Sequence, residues 1–157
     1  MGWTPRVDGE RRCENEKEDA MASQMEFGKL HHVGVAVHDL RQAAEGLCRL
    51  FGATIESQVY HDANQGVRLM FVNMGGLRYE LLEPAANPSP LDSVLRRGIS
   101  IYHAGYEVAN MDARLAELLA KGATMVSPPK PAVAFGGRRV AFVMWHGLMV
   151  ELIDTAA

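Results

Sequence analysis

Little in this chain of 157 residues points to a covalent staple, a nucleic acid or a membrane. It has two cysteines, Cys13 and Cys48, with no metal-type spacing between them. That leaves no disulfide framework and no thiolate zinc site, and it fits a reducing, cytoplasmic setting. Cys48 falls within a helical pattern and reads as a small buried hydrophobe. The formal charge is only −3, so no broad basic face exists to neutralise a run of nucleic-acid phosphates. No apolar run approaches the roughly 20 residues of a membrane span, and the N-terminus lacks the apolar stretch of a secretory signal.

What is present is enough apolar sequence, 48 % of the residues, to build one core without staples. Residues 1–24 lie outside it. They are polar and charged, with no apolar periodicity, and are expected to form a disordered arm. Met21 and Met25 are alternative natural starts. Residues 25–157 are expected to form a single domain.

Within that domain one stretch occurs twice. His32-Val33-Gly34-Val35-Ala36-Val37 leads into a helical pattern and Gly52-Ala53-Thr54; His103-Ala104-Gly105-Tyr106-Glu107-Val108 leads into another and Gly122-Ala123-Thr124. Each copy closes on a matching strand, Leu77 to Glu83 and Leu148 to Asp154. Apolar and small residues alternate in the opening strands, which is the strand period, with the branched valines on the face that meets a helix. Asp39 and Asn110 are N-caps. The inner stripes of the helices are expected to be Ala43, Leu47, Leu50 and Phe51 in the first and Leu115, Leu118 and Leu119 in the second. A strand is expected over Thr54 to Tyr60, and a short helix over Leu91 to Arg97 capped by Ser89 in the linker. The fold class is therefore α+β, with two β-α-β-β-β modules over about 30–84 and about 99–154. One such module leaves a sheet face bare, so the two should share a cupped surface.

The two copies keep the same awkward residues. His32 and His103 are 71 residues apart, and so are Glu80 and Glu151. A lone carboxylate in an apolar strand is costly to bury, so each glutamate implies a partner. Convergence of all four where the modules meet would give two imidazoles and two carboxylates, a donor set suited to one divalent ion: Co, Mn, Ni, Zn or Fe. Strand alternation turns His31 and Tyr102 away from that point. Phe135-Gly136-Gly137-Arg138-Arg139 is a loop that could grip a phosphate or carboxylate through its N–H groups and Arg138.

These residues, together with Gln65-Gly66-Val67, Tyr79-Glu80-Leu81-Leu82-Glu83-Pro84, Pro128-Pro129-Lys130 and Val150-Glu151-Leu152, resemble the vicinal oxygen chelate superfamily, and within it the methylmalonyl-CoA epimerases. The resemblance implies metal ligands at His32, Glu80, His103 and Glu151, with the ion stabilising the enolate of an acyl thioester. It implies Glu151 as one proton-transferring carboxylate. The second lies just before Gln-Gly-Val in that family, where this chain has Asn64, and an amide cannot exchange a proton at neutral pH. Asn64, Gln65 and Arg138 are the expected substrate contacts. Two alternatives stand beside the epimerase: a glyoxalase-type lactoylglutathione lyase, and a non-catalytic small-molecule binding or resistance protein, which would generally lack the full quartet. The expected partners are a small molecule such as an acyl-CoA and a second copy in a homodimer.

Overall fold

The computed structural model describes residues 27–156. The arm expected over residues 1–24 lies outside the described residues.

The first module runs β1 (Lys29–Ala36), α1 (Leu40–Phe51), β2 (Thr54–Ile55), β3 (Tyr60–Asp62), β4 (Val67–Met74) and β5 (Leu77–Pro84). A linker helix, α2 (Asp92–Arg96), leads to β6 (Ile101–Val108), α3 (Met111–Ala120), β7 (Thr124–Pro131), a 3-10 turn at Val133–Phe135, β8 (Arg139–Trp145) and β9 (Leu148–Asp154). The strands join into one mixed sheet in the order β2-β4-β5-β1-β6-β9-β8-β7, with β3 also on β4. β1 pairs parallel with β5, and β6 parallel with β9. The seam between modules is the antiparallel pair β1–β6. The fold is thus α+β, with the two copies fused edge to edge.

Helix ends follow local chemistry. The Asp39 carboxylate accepts from the Gln42 N–H at 2.8 Å, and the Asn110 side chain from the Ala113 N–H at 3.2 Å. Gly52 closes α1 in the left-handed region, which costs glycine nothing. In α1 the inner stripe is Leu40, Ala43, Ala44 and Leu47, so Ala43 and Leu47 pack inward as expected, whereas Leu50 and Phe51 are 64 % and 65 % exposed. These two sit in the last turn, where no strand covers them. Leu119 of α3 is likewise 39 % exposed. The strand expected over Thr54 to Tyr60 breaks into β2 and β3, because the Ser57 hydroxyl replaces a ladder partner and accepts from the Phe71 N–H at 2.8 Å. In the linker the N-cap of α2 is Leu91, without a side-chain cap bond, and not the expected Ser89; the Ser89 N–H donates to the Asp92 carboxylate, and the Ser89 hydroxyl accepts from the Leu91 N–H one residue before the helix.

Packing is in layers. On one face α1 covers Met70, Val72 and Leu81, and α3 covers Ala141, Val143 and Leu152. On the other, Leu69, Phe71, Leu82, Phe142 and Ile153 form a second cluster with Leu91 from the linker and Phe135 from the 3-10 turn. Each fully buried side chain of this size contributes roughly 1.5–3 kcal/mol, so the sheet is stabilised by apolar packing on both of its faces. Polar residues placed on the second face are therefore in a dry setting.

Candidate metal centre

The register of the seam builds the site. Gly34 of β1 lies between Glu80 of β5 and His103 of β6; Gly105 of β6 lies between His32 of β1 and Glu151 of β9. Each glycine leaves room for the imidazole of the other module. A Cβ on Gly34 would stand 2.6 Å from His103 Nε2, and one on Gly105 2.7 Å from His32 Nε2. The small residues on the opening strands are there for this close approach.

The four side chains meet. His32 Nε2 is 2.9 Å from His103 Nε2, 3.3 Å from Glu80 Oε2 and 3.1 Å from Glu151 Oε2. His103 Nε2 is 3.2 Å from Glu80 Oε2 and 3.6 Å from Glu151 Oε2. All four residues are at most 3 % exposed. Bonds of about 2.1 Å to one ion would separate adjacent ligand atoms by about 3.0 Å in an octahedron or about 3.4 Å in a tetrahedron, so the spacing suits a single small dication. Glu151 Oε2 has no hydrogen-bond partner although it is buried. A buried carboxylate oxygen aimed at three other donors is what a cation would satisfy. Among the described residues these four form a group able to hold a metal.

Electrostatics agree. Burial opposes charge on His32, but the Glu80 and Glu151 carboxylates beside it overcome that and push its pKa up to about 10. Burial opposes charge on Glu80 too, yet His32 and His103 hold its carboxyl well below the usual range. The quartet thus favours a positive centre between two carboxylates. Phe71, Phe135 and Phe142 wall it: Phe135 stacks on His32 at 5.9 Å, and Phe142 meets His103 edge-on at 5.3 Å.

His31 and Tyr102 do not face away as simple alternation implies. The seam carries two bulges, one skipping His31 between Leu30 and His32 and one skipping Tyr102 between Ile101 and His103. An extra residue in one strand resets the facing of its side chain. His31 Nδ1 lies 2.9 Å from His32 Nδ1, and the ring packs on Phe71 and Phe135. The Tyr102 ring lies 5.1 Å from His103, and burial together with the Glu151 and Glu80 charges raises its hydroxyl pKa. Arg78, on the same face of β5 as Glu80, donates to His31 Nε2 at 3.0 Å.

The other sequence-derived positions are held by protein groups. Asn64 is exposed, and its amide donates to the Pro131 carbonyl at 3.1 Å. Gln65 donates to the Asp62 carboxylate from its backbone N–H at 3.1 Å and from its side chain. Asp62, fully buried, also accepts from the Val133 N–H at 3.2 Å, which ties the first module to the turn carrying Phe135. Arg138 donates to the Glu107 carboxylate at 2.9 Å and to the Asp154 carbonyl at 3.3 Å. A cavity of about 480 Å³ between α1 and the sheet, lined by residues including Leu40, Ile55, Arg68 and Glu83, contains none of the quartet. Strand alternation gives no signal for His31 at the site, and its adjacency to His32 is the one visible sign of it.

Residues 31–142 match the family described as the Glyoxalase/Bleomycin resistance protein/Dioxygenase superfamily. The chain belongs to this superfamily. Its relatives include the ethylmalonyl-CoA/methylmalonyl-CoA epimerase of Cereibacter sphaeroides, 30 % identical over 80 % of this chain and 97 % of that protein. The mitochondrial methylmalonyl-CoA epimerase of Mus musculus is 32 % identical over 80 % of this chain and 72 % of that protein. Among solved structures, a Streptomyces coelicolor methylmalonyl-CoA epimerase variant in complex with 2-nitronate-propionyl-CoA aligns with a TM-score of 0.71 and 25 % identity, over 83 % of this chain and 99 % of the other. These named relatives are epimerases, and His32, Glu80 and His103 lie inside the matched residues while Glu151 lies on β9 just beyond them.

Proposed function

We propose that this chain is a metal-dependent epimerase of acyl thioesters, of the methylmalonyl-CoA type. The observation that carries this reading is the convergence of one His and one Glu from each module on a single buried point, in a chain about 30 % identical to methylmalonyl-CoA epimerases. His32, Glu80, His103 and Glu151 would hold one divalent ion, with Co, Mn, Ni, Zn and Fe all compatible with the donors. Such an ion supplies Lewis-acid stabilisation of the negative oxygen that forms when an α-proton leaves a thioester.

The chain's own residues do the rest. Glu151 takes the α-proton on its carboxylate and returns it, and exchange of that proton with solvent in between carries solvent hydrogen to the α-carbon. Asn64, Gln65 and Arg138 are the proposed contacts for the remainder of the substrate; each exchanges a present protein partner for it. With an amide at residue 64, exchange on the Glu151 side outpaces inversion. A second copy is the proposed partner of the exposed apolar residues Leu50, Phe51 and Ile55, and the cytoplasm is the proposed location. No described helix is long and apolar enough to cross a membrane.

Incubation of Co²⁺-loaded protein with methylmalonyl-CoA in D₂O tests the reading. Deuterium is expected at the α-carbon. Full metal loading with no exchange on methylmalonyl-CoA or ethylmalonyl-CoA would overturn it.

A further inference from the structure

We infer that Asp62 is a positioning residue for the substrate. It clamps the loop of residues 62–66 onto the 3-10 turn of the other module, so that the proposed contacts Asn64 and Gln65 are held in place before the substrate arrives. The inference rests on the acyl-thioester reading above and concerns how that substrate is held.

The duplication places the clamp. Asp62 and Val133 are 71 residues apart, the spacing of His32 and His103. Equivalent positions of two fused copies touch only where the pseudo-twofold axis between them runs. His32 Nε2 and His103 Nε2 are 2.9 Å apart, so they straddle that axis as well. The Asp62–Val133 contact and the quartet therefore lie along one line, and Phe135, which ends the turn, stacks on His32 at 5.9 Å.

The chemistry of the contact gives it strength. Asp62 is fully buried, and N–H groups surround its carboxylate. Oδ1 accepts from the Gln65 backbone at 3.1 Å; Oδ2 accepts from the Gln65 side chain at 3.4 Å and from the Val133 backbone at 3.2 Å. One oxygen thus serves its own loop, and the other reaches into the second module. Burying a carboxylate is costly unless it is hydrogen-bonded, so loop and turn are drawn together by the need to satisfy it. The first N–H of a helical turn has no acceptor inside that turn, and Asp62 supplies one from outside. The Asp62 carbonyl accepts from the Gly66 N–H at 2.9 Å, which closes the loop on itself. Asn64 adds a second bridge between the same segments through the Pro131 carbonyl. A loop ordered in advance spares the substrate the entropy of ordering it, and that gain appears in affinity rather than in the chemical step.

Val133→Pro is the decisive variant. Residue 133 opens the turn, where the φ of proline fits and its missing N–H costs the turn nothing. Ala132 before it is extended, at φ −120° and ψ 131°, as a residue preceding proline prefers. The substitution therefore removes the bond between modules and leaves the turn intact. In metal-loaded Val133→Pro, KM for methylmalonyl-CoA in the α-deuterium exchange reaction is expected to rise about tenfold, the low end of what a hydrogen bond to a charged acceptor is worth. The kcat is expected to stay within threefold of wild type, because Glu151 and the rest of the quartet sit on strands. Backbone amide exchange at Gln65 and Gly66 should speed up at least tenfold, a readout that needs neither metal nor substrate. Asp62→Ala should raise KM at least as far, and adding Val133→Pro to it should change KM less than twofold further. Val133→Pro carries the test alone if Asp62→Ala does not fold. Faster amide exchange with an unchanged KM would make the contact a structural joint and overturn the inference. Unchanged amide exchange would overturn it too, as would a fall in KM, which would mark a latch that obstructs entry, or a kcat loss as large as the rise in KM. A wild-type chain that loads metal but exchanges no α-hydrogen on methylmalonyl-CoA or ethylmalonyl-CoA would instead sink the acyl-thioester reading, and this inference with it.

Discussion

His103 lies directly across the seam from Gly34, and its imidazole occupies the space that a β-carbon at residue 34 would need. The same holds for His32 over Gly105. Gly34→Ala and Gly105→Ala are each expected to push one ligand ring out of place. The expected result is a stability loss of about 1–3 kcal/mol from overpacking and Co²⁺ stoichiometry falling from one per chain towards zero. Gly46→Ala is the control: a Cβ there meets nothing within 4 Å, and in mid-helix it should stabilise by about 0.5–1 kcal/mol. Thermal melts and metal analysis check all three. Unchanged loading in Gly34→Ala would contradict the proposed ligand geometry.

Glu151→Gln separates proton transfer from folding. The side chain keeps its shape but loses its base, and α-deuterium exchange is expected to fall about 10²–10⁴-fold while the far-UV spectrum stays the same. Exchange within tenfold of wild type would remove Glu151 from the reaction.

Residue 64 decides how far exchange becomes inversion. Asn64→Glu gives up the hydrogen bond to the Pro131 carbonyl, at about 1 kcal/mol, and offers a carboxylate in its place. Inversion of methylmalonyl-CoA, followed with a single enantiomer, should rise at least tenfold in Asn64→Glu, the order of a weakly placed general base. No rise over wild type would show that the loop does not reach the α-carbon.

Acid sensitivity should have one identifiable source in the second module. The hydrogen bond from Arg138 lowers the Glu107 carboxyl below its ordinary value of 4.5. A lowered pKa stabilises the fold above the unfolded value, and that contribution is lost as pH falls through the folded one. Melting curves of wild type and Glu107→Gln should therefore differ at pH 7, begin to approach one another as pH falls below 4.5, and converge only below the lowered folded value, where both side chains are neutral. Curves that stay parallel throughout would assign the Arg138 contact no role in stability.

Much of the site was legible because duplication repeats an improbable choice. A histidine beside small residues and a glutamate inside an apolar strand are each ambiguous, but finding both twice at one spacing predicts the meeting of His32, Glu80, His103 and Glu151. The strand order at the seam follows less directly, since pairing of β1 with β6 is a relation between modules. His31 and Tyr102 were assigned to the wrong face because a bulge shifts the register by one residue, and nothing in a period-two pattern marks it. Leu50 and Phe51 show the corresponding limit for helices: periodicity gives the stripe but not where the covering strand ends. The partners of Asn64, Gln65 and Arg138 depend on loops folding back over distant strands, such as the Asp62 tie to Val133.

The seam has one more consequence. Each half of the chain brings one imidazole and one carboxylate, so neither half owns a complete coordination sphere. A single ion bound there would rivet the two halves together at the pair of strands where they join. Loss of the ion would then loosen the molecule along a defined line, and the halves would gain independence in the order in which they were once a repeat.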